Sequence, residues 1–347
     1  MKTSLRKTPA FIWFLAIALM LLNWGCAQMK TKTHPPQQQT KERNESPPSA
    51  FVPDGYLETV PPLPPKGYFL STLARDVYFF STETYNTMFI VTRDGVVLVD
   101  PIGGKGPQLK NAIAEITSLP VKFLIYSHAH ADHIGDAHLF ADDAQIVSHI
   151  ETKKLLERYA DPNRPTPNIT FGNTYTLELG GIKVELSYPG EGHGKGNIMI
   201  YVPEKKVLMY VDVATPKAVP FKNFATTDID GQILGIQSAL KLDFTTYVAG
   251  HYHRPGKKEE MEEVLQYYLA TRNADKEAMK QVSYRDVMSK SKSKDMERIF
   301  GEYYEAVAEE CYRTLKKDWK SRLMGFEAFA RSHCDAWTTY HRTIKTP

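Results

Sequence analysis

The sequence predicts an α/β fold in which two β-sheets pack on each other with helices outside, followed by an all-helical region. Short apolar runs of strand length, such as 96–99 and 121–126, alternate with helical patterns up to residue 249. After Pro255 and Gly256 the apolar residues recur only at helical spacing. A layered domain followed by a helical appendage produces this pattern.

Each element is predicted from its own local pattern. Residues 77–80, 87–92 and 96–99 are expected strands, and Arg93-Asp94-Gly95 supplies a turn between the last two. A helix is then predicted at 108–117, a strand at 121–126, a helix at 132–140, a strand at 145–148 and a helix at 151–159. Further strands are predicted at 174–178, 182–188, 197–202, 206–210 and 246–249, with a helix at 229–240. Beyond residue 256 we expect three or four helices and no strand.

The composition is that of an ordinary soluble protein. Of 347 residues, 42% are hydrophobic and 24% are charged, and the formal net charge is only +3. This balance argues against a nucleic-acid partner. Proline-rich polar sequence at 28–66 predicts an extended tether. The chain is therefore expected to divide into a signal sequence (1–27), the tether (28–66), the α/β domain (67–256) and the helical region (257–347).

The N-terminus predicts export. Lys2, Arg6 and Lys7 precede an apolar stretch at 11–22 that has the length of a secretory signal. Gly25-Cys26 is similar to a bacterial lipoprotein signal, which would attach a lipid to Cys26. Cleavage after Ala27 and an uncleaved membrane anchor are the alternatives. All three place the protein in the periplasm or cell envelope, with any membrane contact made through the N-terminus.

A cluster of metal-ligand side chains follows the predicted strand at 121–126. His128, His130 and His133 surround Asp132 within six residues. Imidazole together with carboxylate suits zinc or iron rather than magnesium or calcium. A strand end would aim these side chains while the following loop leaves room for a substrate.

Three further side chains extend the cluster. His193 lies in a glycine-rich turn before a strand, Asp212 follows the strand at 206–210, and His251 follows Gly250 after the last strand. Ligand types at the ends of several strands predict one shared rim. Seven ligands exceed the needs of one tetrahedral ion but suffice for two ions about 3.5–4 Å apart. A water that bridges two such ions would lose its proton near neutral pH and become a hydroxide nucleophile.

The order of these motifs resembles the metallo-β-lactamase superfamily, whose pattern is H-x-H-x-D-H, a lone histidine, an aspartate or cysteine, and a last histidine after glycine. The resemblance covers 67–256 and implies an αββα sandwich with a one- or two-metal hydrolytic centre. It implies His128, His130 and His193 on the first metal, Asp132, His133 and His251 on the second, and Asp212 as a bridge. Asp100 corresponds to an early aspartate that orders the ligand loop.

The expected activity is that of an exported binuclear hydrolase, which uses a metal-bridging hydroxide on an ester, lactone, thioester or amide-type bond of a small molecule. Asp132 is the expected catalytic residue, which orients the nucleophile and takes part in proton transfer. Zinc is the first expectation for the two divalent ions, with iron or manganese open because no predicted ligand is a thiolate.

Three alternatives remain at this point. Hydrolysis of β-lactams is not the default, because Asp212 stands where many zinc β-lactamases have cysteine and Thr215 replaces their substrate-binding lysine. An iron redox enzyme is disfavoured because the flavin-linked diiron members carry a carboxylate where this chain has His130. A non-catalytic protein with structural metals is disfavoured because a structural zinc closes with four ligands.

The remaining candidates are weaker. His253, Lys195 and Lys217 are candidate substrate contacts, and His333 is expected either to pack between helices or to belong to a helical lid. A second copy of the chain could bind through the helical region. Cys311 and Cys334 are predicted either to form a disulfide or to stay as buried thiols.

Overall fold

The computed structural model describes residues 62–343, which belong to one compact unit. The predicted signal sequence with Cys26, and most of the predicted tether, lie outside the described residues. Among the residues described, no helix has the length and apolar character needed to cross a membrane.

The first sheet has seven strands in the order β1-β2-β3-β4-β5-β6-β7. Neighbours are antiparallel from β1 to β4 and parallel from β4 to β7. In chain order this half contains β1 (Phe69–Ala74), β2 (Val77–Ser81), β3 (Asn86–Val91), β4 (Val96–Val99), α1 (Gly106–Ile116), β5 (Val121–Ile125), α2 (Ala131–Ile134), β6 (Gln145–His149), α3 (Ile150–Tyr159) and β7 (Ile169–Phe171).

The second sheet has six strands, and its β11 and β12 are parallel neighbours. The strand order across this sheet is β13-β12-β11-β10-β9-β8. In chain order this half contains β8 (Thr174–Leu179), β9 (Ile182–Ser187), β10 (Met199–Val202), β11 (Val207–Met209), α4 (Ile229–Ala239), β12 (Thr246–Val248) and β13 (Gly256–Lys257).

Three apolar layers hold the domain together. Val97 and Val99 of β4 face the second sheet, while Val96 and Leu98 face the helices outside the first sheet. Strand alternation sends successive side chains to opposite faces, so a strand covered on both sides is apolar throughout. The predicted sandwich of two packed sheets with outer helices is therefore confirmed.

The C-terminal region is helical, as predicted, and it shares one core with the outer face of the second sheet. Cys311 and Cys334 form a disulfide with a Cα–Cα distance of 5.9 Å, which joins two of its helices. The helices are α5 (Lys258–Gln281), α6 (Tyr284–Lys290), α7 (Met296–Trp319) and α8 (Phe326–Thr343).

The predicted helix at 132–140 is wrong as a single element. It is divided into α2 and a separate 3-10 turn at Ala137–Leu139. The break lies at Gly135, where a Cβ atom would come within 2.9 Å of the Gly103 Cα atom. The loop after β4 therefore needs glycine here in order to approach the ligand loop. The sequence analysis also missed the short strands β1, β7 and β13.

Candidate metal centre

The seven predicted ligands converge at one edge of the sandwich, where β5, β11 and β12 end. Two groups each have their ligand atoms within 4.8 Å of one another: His128, His130, His193 and Asp212, and then Asp132, His133 and His251. Asp212 lies between them, because its oxygens are 3.4 Å from His193 Nε2 and 3.0 Å from His133 Nε2. This is the division that the family resemblance implies, and the role of these residues as ligands stays a prediction.

His128 is oriented by a buried hydrogen-bond relay. Ser127 donates from its hydroxyl to Asp100 Oδ2 at 2.6 Å and from its backbone N–H to Asp100 Oδ1 at 2.8 Å. The Ser127 Oγ atom in turn lies 2.8 Å from His128 Nδ1 and can accept a hydrogen bond from its N–H. Because Nδ1 is engaged, Nε2 of His128 is left facing the cluster. Asp100 therefore supports the ligand loop, as expected.

His251 is oriented by the turn between β2 and β3. Its Nδ1 lies 3.2 Å from the Thr84 carbonyl oxygen, and its Nε2 lies 3.2 Å from Asp212 Oδ1. The Asn86 side-chain amide also donates to the His251 carbonyl at 2.8 Å. Tyr85 of the same turn places its ring 4.9 Å from the His251 ring. The sequence analysis missed Tyr85, because nothing near it in the chain has ligand character.

Gly250 makes room at the centre of the cluster. A Cβ atom there would stand 2.6 Å from Asp212 Oδ1 and 2.7 Å from the His133 ring. Any larger residue would therefore displace two candidate ligands. Asp212 itself has a positive φ of 62°, which is a strained conformation of the kind that concentrates at functional sites.

The cluster leaves buried ring nitrogens without hydrogen-bond partners, and a pair of cations would supply those partners. Nε2 of His128 and both ring nitrogens of His133 are buried without a hydrogen-bond partner, although His133 Nε2 is close to Asp212. Nε2 of His193 faces Nδ1 of His130 at 3.2 Å, so at most one proton fits between them. Buried polar nitrogens are costly without a partner, and divalent ions would satisfy several of them at once.

Burial and charge set the protonation of the cluster. Burial lowers the pKa of His193 to about 4 and lowers that of His128 well below its ordinary value. Burial also acts to lower the pKa of His133, but the Asp212 carboxylate outweighs it and raises the pKa to about 9. Against the effect of burial, the histidines hold the pKa of Asp212 well below its usual range. Neutral imidazoles at His128 and His193 and an ionised carboxylate at Asp212 are the forms that bind metal, whereas His133 would release its proton on binding a cation.

The weaker substrate candidates differ in their surroundings. Lys217 makes an ion pair with Glu263 at 2.5 Å, which occupies its ammonium group, whereas Lys195 is exposed. His253 is half-buried, and burial lowers its pKa. His333 packs inside the helical region, with its Nδ1 2.8 Å from the Tyr267 hydroxyl.

Comparison with known proteins gives a consistent result. The sequence profile of the metallo-β-lactamase superfamily matches residues 82–251. The chain is 31% identical over 192 residues to 2,4-dinitroanisole O-demethylase subunit alpha from a Nocardioides strain, covering 53% of this chain and 57% of that protein. It is 30% identical over 128 residues to a type 2 metallo-β-lactamase of Elizabethkingia meningoseptica, covering 36% of this chain and 50% of the enzyme. The chain thus spans only about half the length of these relatives.

Solved structures show the same fold. A metallo-β-lactamase from Pontibacter korlensis superposes with a TM-score of 0.52 at 22% identity, covering 57% of this chain and 99% of that one. The protein VMB-1 superposes with a TM-score of 0.51 at 20% identity, covering 60% of this chain and 99% of that one. The solved structures show the two-sheet fold, and the sequence-profile match together with the ordered ligand motifs shows that residues 82–251 of this chain belong to the metallo-β-lactamase superfamily.

Proposed function

We propose that this protein is a binuclear metal-dependent hydrolase that cleaves an ester, lactone, thioester or amide-type bond in a small molecule. The observation that carries the proposal is the position of Asp212, whose carboxylate lies within 3.7 Å of ring nitrogens from both ligand groups. A closed structural site would need only four ligands, and this rim supplies seven.

Two divalent cations, when bound, would lower the pKa of a shared water and polarise the substrate's carbonyl oxygen. The chain's own groups supply orientation. Asp100 and Ser127 fix the His128 ring, and the Thr84 carbonyl fixes the His251 ring, so that both present Nε2 to the cluster.

Asp132 is the proposed catalytic residue of the centre. Its side chain is 42% exposed, while that of His133 beside it is fully buried, so Asp132 faces the solvent side from which a substrate would approach. There it can accept a hydrogen bond from the nucleophile and orient it.

Zinc is the proposed metal, because five imidazoles and two carboxylates form a nitrogen-rich set that suits it. Elemental analysis of purified protein tests the assignment. Iron in place of zinc would instead favour the redox alternative on this scaffold.

Two other bond types belong in the test because relatives act on them. The relatives include β-lactamases, although Asp212 and Thr215 depart from the residues of zinc β-lactamases noted above. Another relative is named as an O-demethylase of a nitroaromatic methyl ether. The experiment is a screen of metal-loaded protein against esters, lactones, thioesters, amides, β-lactams and aryl methyl ethers.

Asp132→Ala separates a catalytic role from background hydrolysis. We expect loss of turnover on whichever bond the wild-type protein cleaves, while Asp142→Asn, at an exposed aspartate of the loop before β6, stays active. Full turnover by Asp132→Ala would refute the assigned role. Turnover on no bond type, with retained binding of a partner protein, would favour the non-catalytic alternative.

We further propose that the protein is exported to the periplasm or cell envelope, with lipid attached at Cys26. Fractionation of cells that produce the wild type and Cys26→Ser tests this: the wild type should be in the membrane fraction and the variant should be released. Sedimentation of the soluble part tests whether the helical region forms a homo-oligomer.

A further inference from the structure

We propose that helix α8 is a positioning element of the metal centre: His333 and Ser332 hold residues 221–225, of which the last three are left-handed, in the path that places the candidate ligand His193. We call residues 221–225 the left-handed segment. The inference rests on the proposed function for its importance to catalysis, but the contacts that carry it are independent of the substrate.

The left-handed segment has a backbone that its side chains disfavour. Asn223, Phe224 and Ala225 have positive φ values of 55°, 63° and 46° in succession. Left-handed conformations are ordinarily visited by single glycine or asparagine residues, and three in a row without glycine persist only when their surroundings enforce them. The surroundings must therefore supply specific contacts.

Helix α8 supplies those contacts. His333 Nε2 lies 2.9 Å from the Phe221 carbonyl oxygen, and the Ser332 hydroxyl accepts from the Asn223 N–H at 3.0 Å. The ring of Phe224 is fully buried and stacks on the His333 ring at 4.3 Å. The Tyr267 hydroxyl lies 2.8 Å from His333 Nδ1 and can donate to it, which leaves the Nε2 proton for the segment. The adjacent residues Ser332 and His333 thus contact the segment at the Phe221 carbonyl, the Asn223 N–H and the Phe224 ring.

The other end of the segment fixes His193. Directly after Ala225, the Thr226 hydroxyl donates to the Gly192 carbonyl at 2.5 Å, and the Thr227 N–H donates to the same oxygen at 3.0 Å. Gly192 immediately precedes His193, so the residues that directly follow the segment hold the backbone next to the candidate ligand.

The chain before the segment is also held by the helical region. The Val219 N–H donates to the Met324 carbonyl at 2.9 Å, and the Met324 N–H donates to the Lys217 carbonyl at 2.8 Å. The connection between Asp212 and α4 is therefore anchored on the residues that lead into α8 as well as on α8 itself. A helical region that only filled the core would not need hydrogen bonds to this connection.

Two substitutions at one position separate positioning from packing. His333→Phe keeps the stacked ring on Phe224 but loses the donor to Phe221. His333→Gln loses the ring but keeps a donor near the place of Nε2. His341→Gln is the matched control, because His341 is equally part of α8 but pairs with Asp275 inside the helical region.

Hydrogen–deuterium exchange of the full-length protein is the first readout. We expect faster exchange in peptides covering 190–196 and 221–228 for His333→Phe, by roughly tenfold. Near-wild-type exchange is expected there for His333→Gln and His341→Gln. The second readout is zinc affinity by chelator competition, where His333→Phe should lose about tenfold, the low end of what removing an outer support costs a metal site.

If His333→Phe does not fold, Ser332→Ala serves instead, since it removes only the contact to Asn223 and should raise exchange in the same two peptides. Unchanged exchange at 190–196 in a folded variant that has lost the α8 contact overturns the proposal, as does an equal effect of His341→Gln. Altered exchange in a protein that hydrolyses none of the tested bonds would refute the proposed function and leave the positioning role intact.

Discussion

The Cys311–Cys334 disulfide gives a stability prediction whose size follows from its place in the chain. The bond joins α7 to α8 across a sequence separation of 23 residues, and both cysteines are fully buried. The perturbation is the double variant Cys311→Ala with Cys334→Ala, which removes the cross-link while leaving small apolar side chains in the core.

The expected loss comes mainly from the unfolded state. Closing a loop of 23 residues removes about 11 cal/mol/K of chain entropy, which is about 3 kcal/mol at 25 °C. Lost packing around the two sulfur atoms also lowers the stability of the folded state. In a large domain each kcal/mol moves the melting temperature by about 2–4 °C, so we expect a fall of roughly 6–12 °C.

The assay is thermal and urea unfolding of the wild type and the double variant, each with and without reductant. Reductant should lower the stability of the wild type toward that of the variant and leave the variant unchanged. The reasoning is refuted if mass spectrometry finds Cys311 and Cys334 as free thiols in protein isolated from an oxidising compartment. A double variant that melts with the wild type under oxidising conditions refutes it equally.

Three further predictions concern single residues. Asp100→Ala leaves the Ser127 N–H and hydroxyl without their acceptor. It should therefore lower the free energy of unfolding by roughly 2–5 kcal/mol and weaken zinc binding about 10–100-fold. Wild-type values in urea unfolding and in chelator competition would contradict this. Ala225→Gly removes the cost of a positive φ, which is roughly 1–2 kcal/mol, but gives the unfolded chain more conformational entropy, which costs about 0.5–1 kcal/mol. The melting temperature should therefore rise slightly, and a clear fall would count against backbone strain at this residue. Burial lowers the pKa of His333 to about 4, below about 6.5 in the unfolded chain, so the unfolded state binds the proton first as the pH falls. Up to roughly 3 kcal/mol of stability should be lost between pH 6.5 and 4, and urea unfolding of His333→Phe should show a shallower pH dependence.

The layered fold could be predicted because its signals are local. Strand β4 is apolar on both faces, and the turn at 93–95 follows from three consecutive residues. The single helix expected at 132–140 failed for a reason that lies elsewhere in the chain. The loop at Gly103 packs against Gly135, and a helical pattern around residue 135 carries no trace of that contact.

The convergence of the candidate ligands could be predicted for a similar reason. His128, Asp212 and His251 each follow an apolar strand, and ends of neighbouring strands meet at one edge of a sheet. The groups that orient them could be predicted only in part. Asp100 was identified through the family resemblance. Thr84, whose carbonyl contacts His251, lies 167 positions before it in the chain, and Tyr85 is the next residue, so neither leaves a periodic signal.

The helical region shows most clearly that contacts between distant residues cannot be predicted from local sequence patterns. Its helices could be predicted from apolar spacing, and His333 was expected either to pack or to belong to a lid. It packs, but its hydrogen bond to Phe221 joins residues 112 positions apart and reaches toward the metal centre. Only the folded chain shows that a packing histidine also supports the segment next to His193.

The measurement that tests the central claim most directly is the number of divalent ions bound per chain, determined by elemental analysis after zinc loading and removal of excess metal. We predict two zinc ions in the wild type, and fewer in Asp212→Ala, which loses the carboxylate shared by the two ligand groups. Wild-type protein that retains no ion after loading, or an Asp212→Ala variant that retains both, would contradict the account.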